Sequence, residues 1–328
     1  MQVGAIEALS HRQERGTDAH AQSRRREGLF AGTDSGLTIL GNDLTERTIS
    51  ALRRTGVNRP TVLREGLALS ELSRGRYATL DNSHLRWEQA LAHSVEQGFD
   101  LVLLIGTPAY TDLNFDELLR FHMERAASLT QVYAADRALN IAAVSLAGLR
   151  NGSASLLNAL GALLAKRERF PYRGYVNSLR APADFVQLIE DSLHQRCGLR
   201  PAGLEIANGV WFGDAAEVDD SCVVGAPSFI GANTRIAACC TISGGSAIES
   251  ACHVDSGTAI ERSWILPGTY VGVGLNVRRS IVSKGKMFHL DRKTEITVTD
   301  RRLIGATRSL PFFGGGEGLL GRAPVSAE

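Results

Sequence analysis

The sequence predicts two folded units in tandem, an α/β domain followed by a three-sided parallel β-coil. Two observations predict them. From Ile206 to Leu266 every sixth residue is aliphatic or aromatic without a break: Ile206, Phe212, Val218, Val224, Ile230, Ile236, Ile242, Ile248, Val254, Ile260 and Leu266. Upstream, helical patterns alternate with short apolar runs, the pattern of a sheet covered by helices.

A helix repeats at about 3.6 residues and a flat strand at about 2, so neither explains a period of six. A coil of three short strands does, with one large and one small side chain per strand pointing into a narrow prism. The small series lies four places after each large residue: Val210, Ala216, Cys222, Ser228, Thr234, Cys240, Ser246, Cys252, Thr258, then Trp264 and Tyr270. Three hexads make one coil, so Ile206, Val224, Ile242 and Ile260 are expected to stack as one column. Phe212, Ile230, Ile248 and Leu266 form the next. A one-residue slip follows at Pro267-Gly268, and the last coil ends near Ile281. The pattern resembles the hexapeptide repeat of left-handed parallel β-helices.

The remaining elements follow in order. Residues 1–36 are polar, with Arg24-Arg25-Arg26 nearly balanced by acids, and are expected to be an unstructured arm. From 37 to 193 the chain reads as α/β. GLTIL is a strand, Leu44–Arg54 a helix closed by Gly56, and Pro60–Leu63 a strand. Leu85–Gln97 is a helix. FDLVLLIG (Phe99–Gly106) has the composition of a buried parallel strand. Asn114 with Glu117 opens a third helix, Ile141–Leu146 is a strand, and Ser153–Lys166 and Ala183–Leu193 are helices. This alternation implies a mostly parallel sheet covered on both faces. Residues 194–205 form a linker, 206–304 the β-helix, and 305–328 a glycine-rich tail.

The chain has 328 residues, with 36 basic and 35 acidic side chains. That balance gives no electrostatic reason to expect a nucleic-acid partner. No apolar run is long enough for a membrane span, and Met1–Ser23 does not read as a signal peptide. The five cysteines, three of them in the small inward series, read as reduced structural thiols of a cytoplasmic protein.

Four stretches resemble sugar-1-phosphate nucleotidyltransferases, the NDP-sugar pyrophosphorylases of mannose-1-phosphate guanylyltransferase type. They are GNDLTERTISALRRTGV, FDLVLLIGTPAYTDLNFDELLRFHMERAA, YRGYVNSLRAPADFVQLIEDSL and IERSWILPGTYVGVGLNVRRSIV. The resemblance implies a shortened Rossmann-like (GT-A-type) nucleotidyltransferase domain before the left-handed β-helix. In that family a glycine-rich loop with an arginine cradles a nucleoside triphosphate, and two aspartates hold Mg²⁺ at the transferring phosphoryl group.

This chain departs from the family at each of those places. No GGxGTR-like loop precedes the first helix, AGTDSGL (Ala31–Leu37) being the nearest string, and no lysine occurs before Lys166. The positions of the two metal aspartates fall on Thr107 and Ser178, and a neutral hydroxyl is a poor Mg²⁺ ligand. Asp100 and Asp112 flank the strand end, Asp112 being the alternative metal carboxylate. His253, with His289, would serve the acyl transfer that other hexapeptide proteins perform. The reading is therefore a non-catalytic homologue in sugar-nucleotide or surface-polysaccharide metabolism, with no cofactor expected. It would self-associate or join an active relative through the β-helix and could take an NDP-sugar ligand. The alternatives are a divergent active, Mg²⁺-dependent nucleotidyltransferase and a hexapeptide acyltransferase.

Overall fold

The computed structural model describes residues 3–8, 38–57, 61–63, 82–106, 109–150 and 155–307. Six strands form one sheet, in the order Thr61–Leu63, Val3–Ala8, Leu101–Gly106, Arg137–Ser145, Leu129–Ala134, Glu168–Tyr172. Val3–Ala8 runs parallel to both neighbours, in register from Val3 with Leu101 to Ala8 with Gly106. This corrects the expected unstructured arm at its first residues. The polar composition of 1–36 as a whole masked the run VGAIEA. The rest of that stretch, including Ala31–Leu37, lies outside the described residues.

The sheet is mostly parallel, as expected, with one reversed strand among the six. Arg137–Ser145 is antiparallel to both of its neighbours, because Ala135 and Asp136 turn the chain straight back in a two-residue hairpin. Ala135 has φ +51°, the left-handed conformation such loops require.

Leu101–Gly106 explains why both faces are covered. Val102 and Leu104 point into a core with Trp87, Leu91 and Leu160. Leu101, Leu103 and Ile105 point into another with Leu52, Leu118 and Val132. Successive side chains of a strand alternate faces, so a strand buried on both sides reads as an unbroken apolar run.

The second unit is a parallel β-solenoid of about four turns. Its inward columns are Phe212, Ile230, Ile248, Ile265 and Val282; Val218, Ile236, Val254 and Val271; and Val224, Ile242, Ile260 and Val277. Two details of the expected register are corrected. Leu204–Ala207 runs antiparallel to Val210–Phe212 and leaves Ile206 56 % exposed, so Ile206 belongs to no column. The one-residue deletion comes earlier than Pro267-Gly268, within Glu261–Trp264, where Arg262 turns the corner at φ +46°. Ile265, not Leu266, therefore fills the prism. Ser263 and Thr269 take the small inward places, buried and bonded to backbone, while Trp264 and Tyr270 point out. The thiols of Cys222, Cys240 and Cys252 donate to corner carbonyls of the neighbouring rungs.

At the far end Lys284 and Gly285, both at positive φ, fold Lys286–His289 back on Ser280–Ser283. Thr294–Thr297 adds a further antiparallel strand, and Ile304–Ala306 closes antiparallel on Thr269–Val271.

The solenoid's longest sheet docks on the α/β domain. Its outward Phe229, Ala247, Trp264 and Ile281 pack with Phe185, Leu188 and Ile189 of the helix Pro182–Leu193 and with Leu40 of the turn Leu40-Gly41. Trp264 stacks on Phe185, with centroids 6.0 Å apart and planes inclined by 23°. The two units thus share one buried apolar seam.

Candidate functional site

In open α/β sheets ligands bind beyond the carboxyl ends of the parallel strands. Here Ala8 pairs with Gly106 at that edge, so the two strands end side by side. The residues immediately after Ala8 are Leu9-Ser10-His11-Arg12-Gln13-Glu14-Arg15, with no glycine before Gly16. Thr107 and the segment from Leu9 to Leu37 lie outside the described residues. Asp100 precedes Leu101 at the opposite, amino end of the strand.

A short antiparallel ribbon joins this edge to the later motif. Tyr110 pairs with Asn177 and Thr111 with Val176. Ser178, one of the two positions to which the resemblance assigns metal carboxylates, directly follows this ribbon. Ser178 is occupied there. Its hydroxyl donates to Asp184 Oδ2 at 2.8 Å, and the same oxygen accepts from the amides of Arg180 and Ala181. The group closes the start of the helix Pro182–Leu193, whose first residue Pro182 has no amide to satisfy. Asn177 is bound in the same turn, donating to Asp184 O and accepting from Leu179 N.

Asp112 has also found partners. Oδ1 accepts from the Tyr110 hydroxyl at 2.6 Å and Oδ2 from the Gly198 amide at 2.7 Å. Arg47 donates to Tyr110 Oη and to Gly198 O, and its guanidinium lies 3.7 Å from Asp112 Oδ1. A Cβ on residue 198 would overlap Oδ1, so glycine is what lets the linker approach this carboxylate. Burial pushes the Tyr110 phenol far up, and its bond to Asp112 adds to that.

His253 stands on a different face of the molecule. It stacks on Tyr270, centroids 5.6 Å apart, and Tyr270 in turn donates to Asp255. Burial holds its imidazole below the usual range, Asp255 pulling the other way and Arg235 adding to the depression. A groove of about 370 Å³ beside it is lined by Glu217, Asn233, Arg235 and Thr307 among others. His289 sits on the end hairpin, opposite Ser280. The structure therefore does not bring His253 or His289 together with Asp112 or Ser178. Among the described residues no three His, Cys, Asp or Glu side chains gather as a metal site.

One residue escaped sequence reasoning. Glu249 is fully buried in the seam between the two units. Oε1 accepts from Leu40 N at 2.7 Å and Trp264 Nε1 at 3.0 Å, and Oε2 from Gly41 N at 2.9 Å. Burial pushes its carboxyl up to about 7, against the pull of these three donors. Gly41 makes the approach feasible. It has φ +74°, and a Cβ there would come within 2.9 Å of Ala202. The only signal in the sequence was an acidic residue directly after the inward Ile248.

The chain matches no model of a known protein family and no curated protein.

Proposed function

We propose that this chain is a catalytically silent homologue of sugar-1-phosphate nucleotidyltransferases, acting as a regulatory or assembly subunit in sugar-nucleotide or surface-polysaccharide metabolism in the cytoplasm. The observation that carries the reading is the engagement of Ser178. Ser178, at one of the two positions to which the resemblance assigns Mg²⁺ carboxylates, carries a hydroxyl committed to a helix start, and the sequence holds Thr107 at the other. The strand Val3–Ala8 adds support. The stretch that follows it lacks the glycines that let backbone amides close on phosphate.

Losing a single contact to the reacting phosphoryl group typically costs about two to three orders of magnitude in rate, and here several are missing together. The test is pyrophosphate release from each nucleoside triphosphate with hexose-1-phosphates and Mg²⁺, alongside calorimetric titration with NDP-sugars. We expect no turnover above background, and none from the Thr107→Asp/Ser178→Asp double variant. Saturable NDP-sugar binding without turnover is the expected signature of a sensing subunit. Mg²⁺-dependent turnover by the wild type would overturn the reading in favour of a divergent active enzyme.

A further inference from the structure

The two ends of the solenoid are unlike each other in charge and alike in exposed apolar surface. Of the seven large apolar side chains exposed among the described residues, six lie at these ends: Leu204, Ile206 and Val223 at the first coil, and Val273, Ile296 and Leu303 at the last. Residues 204–225 carry five acids (Glu205, Asp214, Glu217, Asp219, Asp220) and no lysine or arginine. All five are exposed; Glu217 is paired with Arg235 of the next coil, and the other four leave this end negative.

Residues 284–303 carry six lysines and arginines against three acids. Each of those acids already has a cation: Asp291 pairs with Arg279, Glu295 with Lys286 and Asp300 with Arg302. Lys284, Arg292, Lys293 and Arg301 leave this end positive, and all four are exposed.

Strand direction adds an independent match. The docking sheet ends at Leu204–Ala207 on one side and Thr294–Thr297 on the other. Leu204–Ala207 runs against the parallel stack. Thr294–Thr297, after two antiparallel reversals, runs with it. Set end to end in the same sense, these two edges meet as an antiparallel pair, the ordinary way for one sheet to extend another. Head-to-head contact would bring five acids against five, and tail-to-tail contact would oppose two basic ends.

We propose that copies of this chain dock head to tail along the solenoid axis, the basic last coil of one seated on the acidic first coil of the next. The partner is a second copy, and the contact joins apolar centres inside complementary rims. A heterologous contact of this kind closes into a ring or continues as a filament. The proposal deepens the assembly part of the proposed function and rests on it. The two fail separately, since turnover by the protein would leave this contact standing and a monomeric protein would leave catalytic silence standing.

The test is sedimentation velocity of the full chain at tens of micromolar, at about 0.05 M and about 0.5 M salt. We expect species beyond the dimer, or one closed ring, at low salt and dissociation at high salt. Asp214→Lys/Asp220→Lys should weaken association at least roughly ten-fold, and so should Arg292→Glu/Lys293→Glu. An equimolar mixture of the two variants should restore it, because each then offers the end the other needs. Ile206→Pro, which removes an edge amide, should weaken assembly while leaving the melting temperature of the chain unchanged. A monomer at low salt, association indifferent to salt, or no rescue on mixing would overturn the proposal. Loss in the first-coil variant with none in the last-coil variant would replace it with a head-to-head contact.

Discussion

Glu249→Gln is the sharpest probe of the seam between the two units. The substitution keeps the volume and one carbonyl, which can still accept from Leu40 N and Trp264 Nε1. It turns an amide NH₂ toward the Gly41 amide, donor against donor, where the wild type makes a 2.9 Å bond. Leaving one buried donor unsatisfied costs about 1–3 kcal/mol. The pH dependence follows from burial, which raises the carboxyl from 4.5 to about 7. The folded state then holds a proton that the unfolded chain releases, so stability is greatest below 4.5 and falls as pH rises to about 7. The fall amounts to about 3 kcal/mol. Glutamine has no such slope. The variant should therefore be less stable than the wild type by about 1–3 kcal/mol at pH 5, with the gap closing or reversing at pH 8. Urea unfolding followed by tryptophan fluorescence at both pH values measures it. Taking the difference between the two proteins at each pH removes every other titrating group. A gap that widens toward pH 8 would refute the reasoning, because it would mean the three donors outweigh burial and hold the carboxylate ionised.

Ile236 is 2 % exposed inside the prism, so Ile236→Asp should cost several kcal/mol, whereas Arg235→Asp on the exposed ladder with Glu217 should cost under about 1 kcal/mol; equal melting losses would sink the register. His122 sits between the hydroxyls of Thr130 and Ser145, and burial lowers it from 6.5 to about 4, so stability should be lost as pH falls from 6.5 to 4 by about 3 kcal/mol, and His122→Gln should flatten that limb in acid titrations of unfolding. Asp112→Asn removes one acceptor from the pair Tyr110 Oη and Gly198 N and should lower stability by about 1–3 kcal/mol with NDP-sugar titrations unchanged; altered binding at unchanged stability would return Asp112 to a ligand site.

The repeat was legible because a period of six survives any single substitution, and the columns from Phe212 to Ile260 stand in the structure at the places the period assigns. What it could not locate was the deletion. In IERSWIL both Ile265 and Leu266 are apolar, and only the corner at Arg262 decides which of them faces inward. Trp264 was the clue, since an indole does not fit where serine and cysteine do. Val3–Ala8 was missed for a different reason. Its partners lie nearly 60 and 100 residues away in Thr61–Leu63 and Leu101–Gly106, and a six-residue strand beside a long polar stretch has no local signature. The hairpin at Ala135 was hidden because its turn uses alanine at positive φ where the usual signal is glycine or asparagine. Glu249 was invisible as a partner of Leu40 and Gly41, more than 200 positions earlier.

These losses share a cause that bears on the site itself. Asp112, Ser178 and Asn177 are here engaged in contacts within the α/β domain and with its linker. Asp112 ties the ribbon to the linker through Gly198, and Arg47 reaches across the same join. Ser178 and Asn177 fix the start of the helix that carries Phe185 and Leu188 into the solenoid seam. A carboxylate that gives one oxygen to a phenol and the other to a backbone amide has fewer lone pairs left for a hard cation, and moving it to recruit one would break the join.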